Sequence, residues 1–212
     1  MGEKKLVITI SRQYGSGGNE IGRKLAGELG VDFYDKNILR MNSDRSGIKE
    51  SYFHLADEKA GGRLLYRIFS NLTPELGEPS YGSDLVSTDN LFRFQSEVIR
   101  KLAEEVSCVI VGRCADYVLE DMENVDLVRI FIFAEFDSRI RRITEKELYA
   151  PEDVKKNIKR IDKERRNYYR YYTGKSWADP ENYDLLINTS TAGITGSVRL
   201  IEEYLKIRGY LG

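Results

Sequence analysis

The segment best suited to chemistry is a glycine-rich loop at residues 15–19. It follows an apolar run, Leu6–Ile10, and precedes an amphipathic pattern that begins near Ile21. In a strand–loop–helix unit, glycines allow a tight turn whose backbone N–H groups point inward, and the helix adds its positive N-terminal end. A glycine turn that merely closes a strand onto a helix is the alternative. We predict that nucleotide phosphates bind here, at Gly15, Ser16, Gly17, Gly18 and Asn19.

The loop lacks two residues of the usual phosphate-binding pattern, G-x-x-x-x-G-K-[ST]. Gly18 stands where the lysine belongs, and Asn19 and Glu20 follow it. Positive charge is needed there, because electrostatic catalysis depends on it. Arg12, at the position of the first glycine, either lies over the phosphates as a catalytic group or forms a surface ion pair. Glu20 either complements the helix dipole or faces the loop across a magnesium ion, to which Ser16 or Asn19 would contribute.

Arg113 is a second candidate for anion binding, because it closely follows the apolar run Cys108–Val111. In open α/β sheets, ligands bind outside the carboxyl ends of the strands. A guanidinium at that place suits a bidentate contact with phosphate. The alternative is an arginine that pairs with a carboxylate of the protein itself.

A long charged helix is predicted to open on Pro151, within a stretch of about 150–176. The helix carries three arginines and an aspartate that is one helical turn from two of them and can pair with either. From the residues alone, it is a solvated helix with surface ion pairs. The residues concerned are Arg160, Asp162, Arg165 and Arg166.

Apolar runs of strand length alternate with helical patterns along the chain. Their hydrophobicity is continuous, which fits strands buried on both faces of a parallel sheet. We predict a doubly wound α/β fold, with five parallel strands and helices on both faces, in one domain over residues 1–212. Residues 41–87 break the alternation and are predicted to form a helical insertion plus a mobile loop. The predicted strands are Leu6–Ile10, Val31–Tyr34, Cys108–Val111, Val128–Phe133 and Tyr183–Ile187.

Several helix ends are also predicted. The stripe that begins at Ile21 stops at Gly30, a C-terminal capping glycine. Capping residues are predicted at Thr88 or Asp89 for one helix and at Asp137 for another. The last helix carries an apolar stripe from Val198 and ends at Gly209.

The composition favours a cytoplasmic protein and indicates no particular partner; the small-molecule partner is predicted from the glycine loop. The 33 basic and 34 acidic residues give a net charge of −1, so no nucleic-acid partner is indicated, although residues 139–175 are locally basic. No apolar run approaches the about 20 residues of a membrane helix, and the first strand begins too early for a signal peptide. Cys108 and Cys114 are expected to be reduced packing residues. The aromatic run at 168–172 favours packing or a homo-oligomer contact over base binding.

Four segments, in this order, resemble the cytidylate kinase-like family, a divergent branch of the nucleoside monophosphate kinases with a P-loop. They are ITISRQYGSGGNEIG at 8–22, FYDKNILR at 33–40, VIVGR at 109–113, and IKRIDKERRNYY at 158–169 followed by YDLLINT at 183–189. Each motif is weak alone, and their order and spacing carry the resemblance.

The resemblance implies an ATP-dependent phosphotransferase that uses Mg²⁺ and acts on a small acceptor such as CMP. It implies that Asp35, Arg40 and Arg113 lie at the acceptor, with Arg40 toward its phosphate. It also implies that the charged helix is a lid whose arginines reach the phosphates when it closes, with Asp162 holding them in place. From the residues alone, Asp35 is equally a helix cap and Arg40 a solvated side chain. Cys114 replaces the aspartate that follows Gly-Arg in the family, so recognition of a cytosine ring by that carboxylate is not supported.

Two other functions stay open at this stage. The missing lysine favours a nucleotide-binding protein that no longer transfers phosphate and acts as a sensor or an assembly module. The lost aspartate allows a kinase whose acceptor is not a nucleotide. Arginines at both the acceptor and the lid positions favour the enzyme.

Overall fold

Five parallel strands form the centre of the molecule. The computed structural model describes residues 4–35, 64, 67–68, 88–147 and 151–211. The strands pair in the order β2-β3-β1-β4-β5, so β1 is central. Their bounds are β1 Lys5–Arg12, β2 Asp32–Tyr34, β3 Cys108–Val111, β4 Val125–Phe133 and β5 Leu185–Asn188.

Helices cover both faces of this sheet, and the predicted doubly wound α/β fold is confirmed. Their bounds are α1 Gly18–Leu29, α2 Thr88–Glu105, α3 Ala115–Val118, α4 Phe136–Glu147, α5 Pro151–Thr173 and α6 Thr189–Ile207. Val7 packs in one core cluster, with α2 and α3, whereas its neighbour Ile8 packs in another, with α1 and α6. Because both faces of β1 are buried, its sequence is continuously apolar. In the described ranges no helix has the length and apolar character of a membrane span.

Several element boundaries differ from the predicted ones, and strand β4 begins three residues earlier than predicted, at Val125. Helix α4 begins at Phe136, so Asp137 lies in its first turn and not at the cap. Strand β5 begins at Leu185, because a short 3-10 turn precedes Tyr183. Segment α6 begins well before its apolar stripe, with a turn that Asn188 caps by accepting the Ser190 N–H. A kink at Gly193, where the backbone is not helical, separates this turn from the helix that carries the stripe. The predicted insertion at 41–87 lies outside the described residues, apart from helical positions 64, 67 and 68.

Helix α5, the predicted lid helix, packs against the body of the protein. Val154 and Ile158 are each 1% exposed and lie in one cluster with Ile140 and Ile143 of α4. Nearer its C-terminus, the Tyr169 hydroxyl donates a hydrogen bond of 2.6 Å to Asp116 of α3. The helix is therefore docked at both ends, and this fixes the side chains that its middle presents to the sheet edge.

Candidate functional site

The glycine loop lies at the carboxyl edge of the sheet, where β1 and β3 end side by side. Gly112, just after β3, donates its backbone N–H to Ile10 O at 3.0 Å and holds the two strand ends together. Arg12 ends β1, and Arg113 is close enough for its charge to act on Arg12. Ligands bind at this edge in open α/β sheets. The fold thus brings the loop and Arg113 to one place.

The loop presents backbone N–H groups at the start of α1. Gly15 and Gly17 have φ values of 77° and 88°, a left-handed conformation that suits glycine. The first hydrogen bond of the helix runs from Ile21 N to Gly17 O at 2.9 Å. The N–H groups of residues 18–20 therefore lack a partner within the helix, and they form the kind of end that binds anions.

The carbonyl groups of the loop are held from outside. Arg142 of α4 donates to Gly15 O at 2.7 Å, and the Thr189 hydroxyl donates to Ser16 O at 2.7 Å. Ser16 is fully buried, and its hydroxyl donates to Gln13 O at 2.9 Å. These bonds turn acceptors away from the anion side of the loop. They also direct the Ser16 hydroxyl into the protein.

The Arg12 side chain passes over Gly18, the position of the lysine in the usual phosphate-binding pattern. A Cβ atom built on Gly18 would lie 2.6 Å from the Cβ of Arg12, and one on Gly112 would collide with the Arg12 guanidinium. The Arg12 side chain therefore fills the space between these two glycines. Burial lowers the pKa of Arg12 to about 9, with smaller contributions in the same direction from the charges of Arg165 and Arg113.

Arg113 is presented by an unusual backbone turn. Gly112, Arg113 and Cys114 follow one another with φ values of 84°, 59° and 53°. A left-handed conformation costs about 1 kcal/mol or more for a residue other than glycine and clusters at functional sites. Within the described part of the chain, the buried Nε of Arg113 has no hydrogen-bond partner. Cys114 is buried, and burial raises the pKa of its thiol, as expected of an inert packing residue.

The lid arginines separate into two groups. Arg165 donates to Arg12 O at 2.8 Å, and burial lowers the pKa of its guanidinium. Arg160 instead faces solvent and pairs with Glu164 at 2.7 Å. Arg166 is also exposed. The structure thus brings only Arg165 of these three to the sheet edge.

Asp162 does not form an ion pair with Arg165 or Arg166, although its charge partly opposes the fall in the pKa of Arg165. Asp162 is 5% exposed and forms its ion pair with Arg139 of α4, at 2.5 Å. The reason is that Asp162 lies on the face of α5 that packs against α4, so its partner comes from across the interface. Its second oxygen accepts the backbone N–H of Tyr14 at 2.8 Å.

Asp35 lies beside the loop, just after β2. The Asn19 amide donates to its Oδ2 at 2.9 Å, and Arg23 lies 3.8 Å from the same oxygen. Its charge also opposes the fall in the pKa of Arg12. Asp35 is therefore a buried, hydrogen-bonded carboxylate at the site. Arg40, the other predicted acceptor residue, lies outside the described residues.

Sequence reasoning missed the residues of α4 that reach the loop. Arg139 and Arg142 are one turn apart and contact Tyr14 and Gly15. The available signals were the local basic charge of this region and the spacing of three residues, which places both arginines on one helix face. The other missed contact is Lys146, which pairs with Glu20 at 2.5 Å and neutralises the acid at the start of α1.

Positive charge therefore gathers around the loop. Arg12, Arg113 and Arg165 lie on its sheet side, and Arg142 holds a carbonyl. Neighbouring guanidinium groups repel one another, and a bound phosphate would offset that repulsion. The arrangement combines inward N–H groups with several cations, which is what a phosphate chain requires.

This fold, with a glycine loop at the carboxyl edge of its sheet, defines a doubly wound α/β protein with a candidate phosphate-binding site. The model of the cytidylate kinase-like family matches residues 7–191, and the chain belongs to that family. The resemblance seen in the sequence is thereby confirmed.

Individual relatives are distant. The chain is 26% identical over 190 residues to a cytidylate kinase of Pyrococcus horikoshii, a match that covers 90% of this chain and 83% of the relative. It is 27% identical over 198 residues to a cytidylate kinase of Thermococcus kodakarensis, covering 93% and 86%. A crystal structure of an uncharacterized protein from Eubacterium ventriosum is similar, with a TM-score of 0.68, 25% identity and coverage of 95% and 99%. The family and the curated relatives support a phosphotransferase.

Proposed function

We propose that the protein transfers a phosphoryl group from ATP to a small acceptor, and that the acceptor is a nucleoside monophosphate such as CMP. The observation that carries the proposal is the place of Arg12. Its side chain fills the space over Gly18, where the missing lysine would begin, and its guanidinium lies among other cations. A positive charge is thus present beside the loop although the lysine is not.

On the donor side, the N–H groups of residues 18–20 bind the phosphates, and Arg12 and Arg165 neutralise their charge. Phosphoryl transfer depends mainly on positioning and on electrostatic stabilisation, and both are supplied here by groups that are already fixed. Arg165 is held by Arg12 O, and Arg142 and Thr189 hold the loop. Little reorganisation is needed when the nucleotide binds.

On the acceptor side, Arg113 and Asp35 face the donor from neighbouring strand ends. Arg113 binds an anionic group of the acceptor, because a left-handed backbone turn at the carboxyl edge of the sheet presents its guanidinium close to Arg12. Arg40 is proposed to bind the acceptor phosphate, as the resemblance implies. The buried thiol of Cys114 offers no carboxylate to a base, so recognition of the base must come from other residues.

Mg²⁺ fits this site through oxygen atoms. Asn19 occupies the usual Ser/Thr position, and Asp35 adds a carboxylate beside it. Protein-bound Mg²⁺ usually takes one or two carboxylates together with substrate phosphates. Asn19 and Asp35 would hold the ion, which would supply further charge neutralisation to the phosphates.

The test has two readouts on one protein. Thermal shift with ATP and other nucleotides measures binding, and ADP release coupled to NADH oxidation measures transfer to a panel of acceptors that includes CMP, UMP, AMP and non-nucleotide alcohols. We expect stabilisation by ATP and turnover with one monophosphate.

Arg12→Ala and Arg208→Ala form a matched pair for the same assays. Arg208 lies at the end of α6 beside Tyr204 and Tyr210. Loss of Arg12 is expected to lower kcat/KM by about 10²-fold or more, the usual effect of removing one preorganised charge-stabilising donor. Arg208→Ala should leave kcat/KM unchanged. Equal activity of the two variants would reject the role of Arg12.

A nucleotide-binding protein without transfer is the second candidate, and the lysine-free loop favours it. Stabilisation by nucleotides with no turnover for any acceptor would establish this candidate and reject the kinase. Absence of both binding and turnover would reject the phosphate loop itself. Turnover with an acceptor that is not a nucleotide would keep the kinase and reject the monophosphate.

A further inference from the structure

A buried ion pair outside the phosphate site binds both backbone polar groups of Tyr14, the residue that precedes the glycine loop. Asp162 Oδ1 accepts the N–H of Tyr14 at 2.8 Å, and Arg139 Nη1 donates to the C=O of Tyr14 at 3.3 Å. The two side chains also bind each other at 2.5 Å. Asp162 belongs to α5 and Arg139 to α4, so side chains from two helices contact the residue just before the loop.

Burying this ion pair costs desolvation free energy that an apolar contact between α4 and α5 would not cost. Asp162 and Arg139 are 5% and 7% exposed, and removing two charges from water opposes their attraction. Arg139 Nε is buried without a hydrogen-bond partner among the residues that the structure describes. Apolar residues of similar size would pack between α4 and α5 without that penalty, as Ile143 and Ile158 already do.

What the pair does supply is orientation. Tyr14 directly precedes Gly15, where the backbone turns into its left-handed conformation. With its N–H and C=O both fixed, the peptide planes of Tyr14 cannot rotate, and the direction of the following N–H groups is set. A hydrogen bond that involves a charged group is roughly twice as strong as a neutral one, which suits this task.

We propose that Arg139 and Asp162 are positioning residues for nucleotide binding, which hold the phosphate loop in its binding conformation through Tyr14. The proposal rests on the proposed phosphate site and deepens it. It assigns to α4 and α5 a role in shaping the donor site, in addition to supplying Arg165.

The test compares Asp162→Asn with the wild-type protein. Asparagine has the same shape and still accepts the Tyr14 N–H, but its amide group faces the Arg139 guanidinium and the ion pair is lost. We expect the Kd for ATP and for inorganic triphosphate, measured by calorimetry, to rise about tenfold, the loss of one charge-assisted hydrogen bond. In steady-state assays, KM for ATP should rise while KM for the acceptor stays constant.

The matched control is Asp184→Asn, which breaks another ion pair, with Arg129 in the middle of β4. Asp184 binds Arg129 at 2.9 Å and accepts a backbone N–H at 2.7 Å, so the lost interactions are alike. The control should lose stability to urea and keep the wild-type Kd. The double variant Arg139→Gln with Asp162→Asn replaces the charges by two amides that can bind each other, and should recover most of the affinity.

The outcomes separate the two proposals. If the wild-type protein binds triphosphate and Asp162→Asn binds it equally well, the positioning role is overturned and the phosphate site stands. If the wild-type protein binds neither ATP nor triphosphate, both are overturned. Should Asp162→Asn fail to fold, the double variant decides: a Kd within about threefold of wild type supports the role, and an unrecovered Kd in a folded protein rejects it.

Discussion

Arg12 and Gly18 depend on each other. The Arg12 side chain occupies the space that any side chain at position 18 would need, since a Cβ there would lie 2.6 Å from the Arg12 Cβ. The usual pattern has the opposite arrangement, with glycine at position 12 and lysine at position 18. In the two arrangements, the positive side chain beside the loop comes from different positions, 12 or 18. Only one of these positions can carry a side chain, because both side chains would fill the same space.

This mutual dependence gives a direct prediction for an exchange of the two residues. Gly18→Lys alone should lose nucleotide affinity and stability, because the new side chain meets Arg12 in a closely packed region, where overpacking costs about 1–3 kcal/mol. Arg12→Gly combined with Gly18→Lys should restore both, since the lysine then enters the space that Arg12 has left. Urea unfolding and ATP calorimetry measure the effects.

Gly27→Lys is the control for the exchange, because nothing lies within 4 Å of a Cβ at that helical position. It should leave ATP affinity unchanged. If Gly18→Lys by itself proved as stable and as active as the wild-type protein, the two positions would be independent and the account of Arg12 given above would fail.

Residues close to the loop in sequence could be predicted, whereas those that hold it from a distance could not. The glycines, Arg12 and Arg113 follow apolar runs, and the ends of parallel strands meet at one edge. Arg142 binds a carbonyl 127 positions away in the sequence, and Asp162 an N–H 148 positions away. Such contacts depend on how α4 and α5 pack, which no local pattern encodes. This is also why the ion-pair partner of Asp162 is Arg139 and not the expected Arg165 or Arg166.

Among the elements, α5 departs most from its sequence-based description. Its charge pattern favoured a solvated helix and the family resemblance favoured a lid, and both understate its buried face. Val154, Ile158, Asp162 and Tyr169 recur along that face, and each is at most 5% exposed. Their spacing of four, four and seven residues is the repeat of a helix stripe that packs on a core. The polar residues between them hid this stripe.

The docking of α5 predicts a large effect for one small truncation. Ile158→Ala should lower the free energy of unfolding by about 2–5 kcal/mol, because it leaves a cavity between α4 and α5. Ile207→Ala is the matched control, since Ile207 is 82% exposed near the end of α6 and its truncation should have almost no effect. Urea denaturation gives both values. Equal, small effects would mean that α5 is undocked in solution, as a freely hinged lid would be.

At the scale of the whole molecule, the predictable part of the fold was the set of strands and the two helical layers. Buried parallel strands read as continuous apolar runs, and helix patterns between them imply crossovers. The order of the strands could not be predicted in the same way, because an apolar run does not indicate which strand lies beside it. The near-neutral overall charge likewise concealed the cations at the sheet edge, because acidic residues elsewhere balance them.

The pH dependence of the free energy of unfolding should reflect one buried acid, Asp116, which links α3 to α5. It is 4% exposed, and burial raises its pKa above the ordinary value of 3.8, an effect to which Glu120 adds and which Tyr169 and Arg129 oppose. An acid with a raised pKa favours the folded state most when it is protonated. Its contribution is therefore complete below about pH 4 and is lost as pH rises through the folded pKa.

Asp116→Asn removes this titration and keeps an oxygen that accepts the Tyr169 hydroxyl. Measured at pH values from about 4.5 to about 8, the free energy of unfolding of the variant minus that of the wild-type protein should therefore increase for as long as the pH lies between the unfolded and the folded pKa, by up to about 1.4 kcal/mol for each pH unit. Asp121→Asn is the control, because a hydrogen bond from Arg100 lowers the pKa of that exposed carboxylate below 3.8. Its titration therefore lies below this pH range, and the corresponding difference should stay constant across it. Urea titrations across this pH range measure both. A difference for Asp116→Asn that stays constant or falls with pH would show that the folded protein does not disfavour the charged form, and that the link between α3 and α5 is an ordinary carboxylate hydrogen bond.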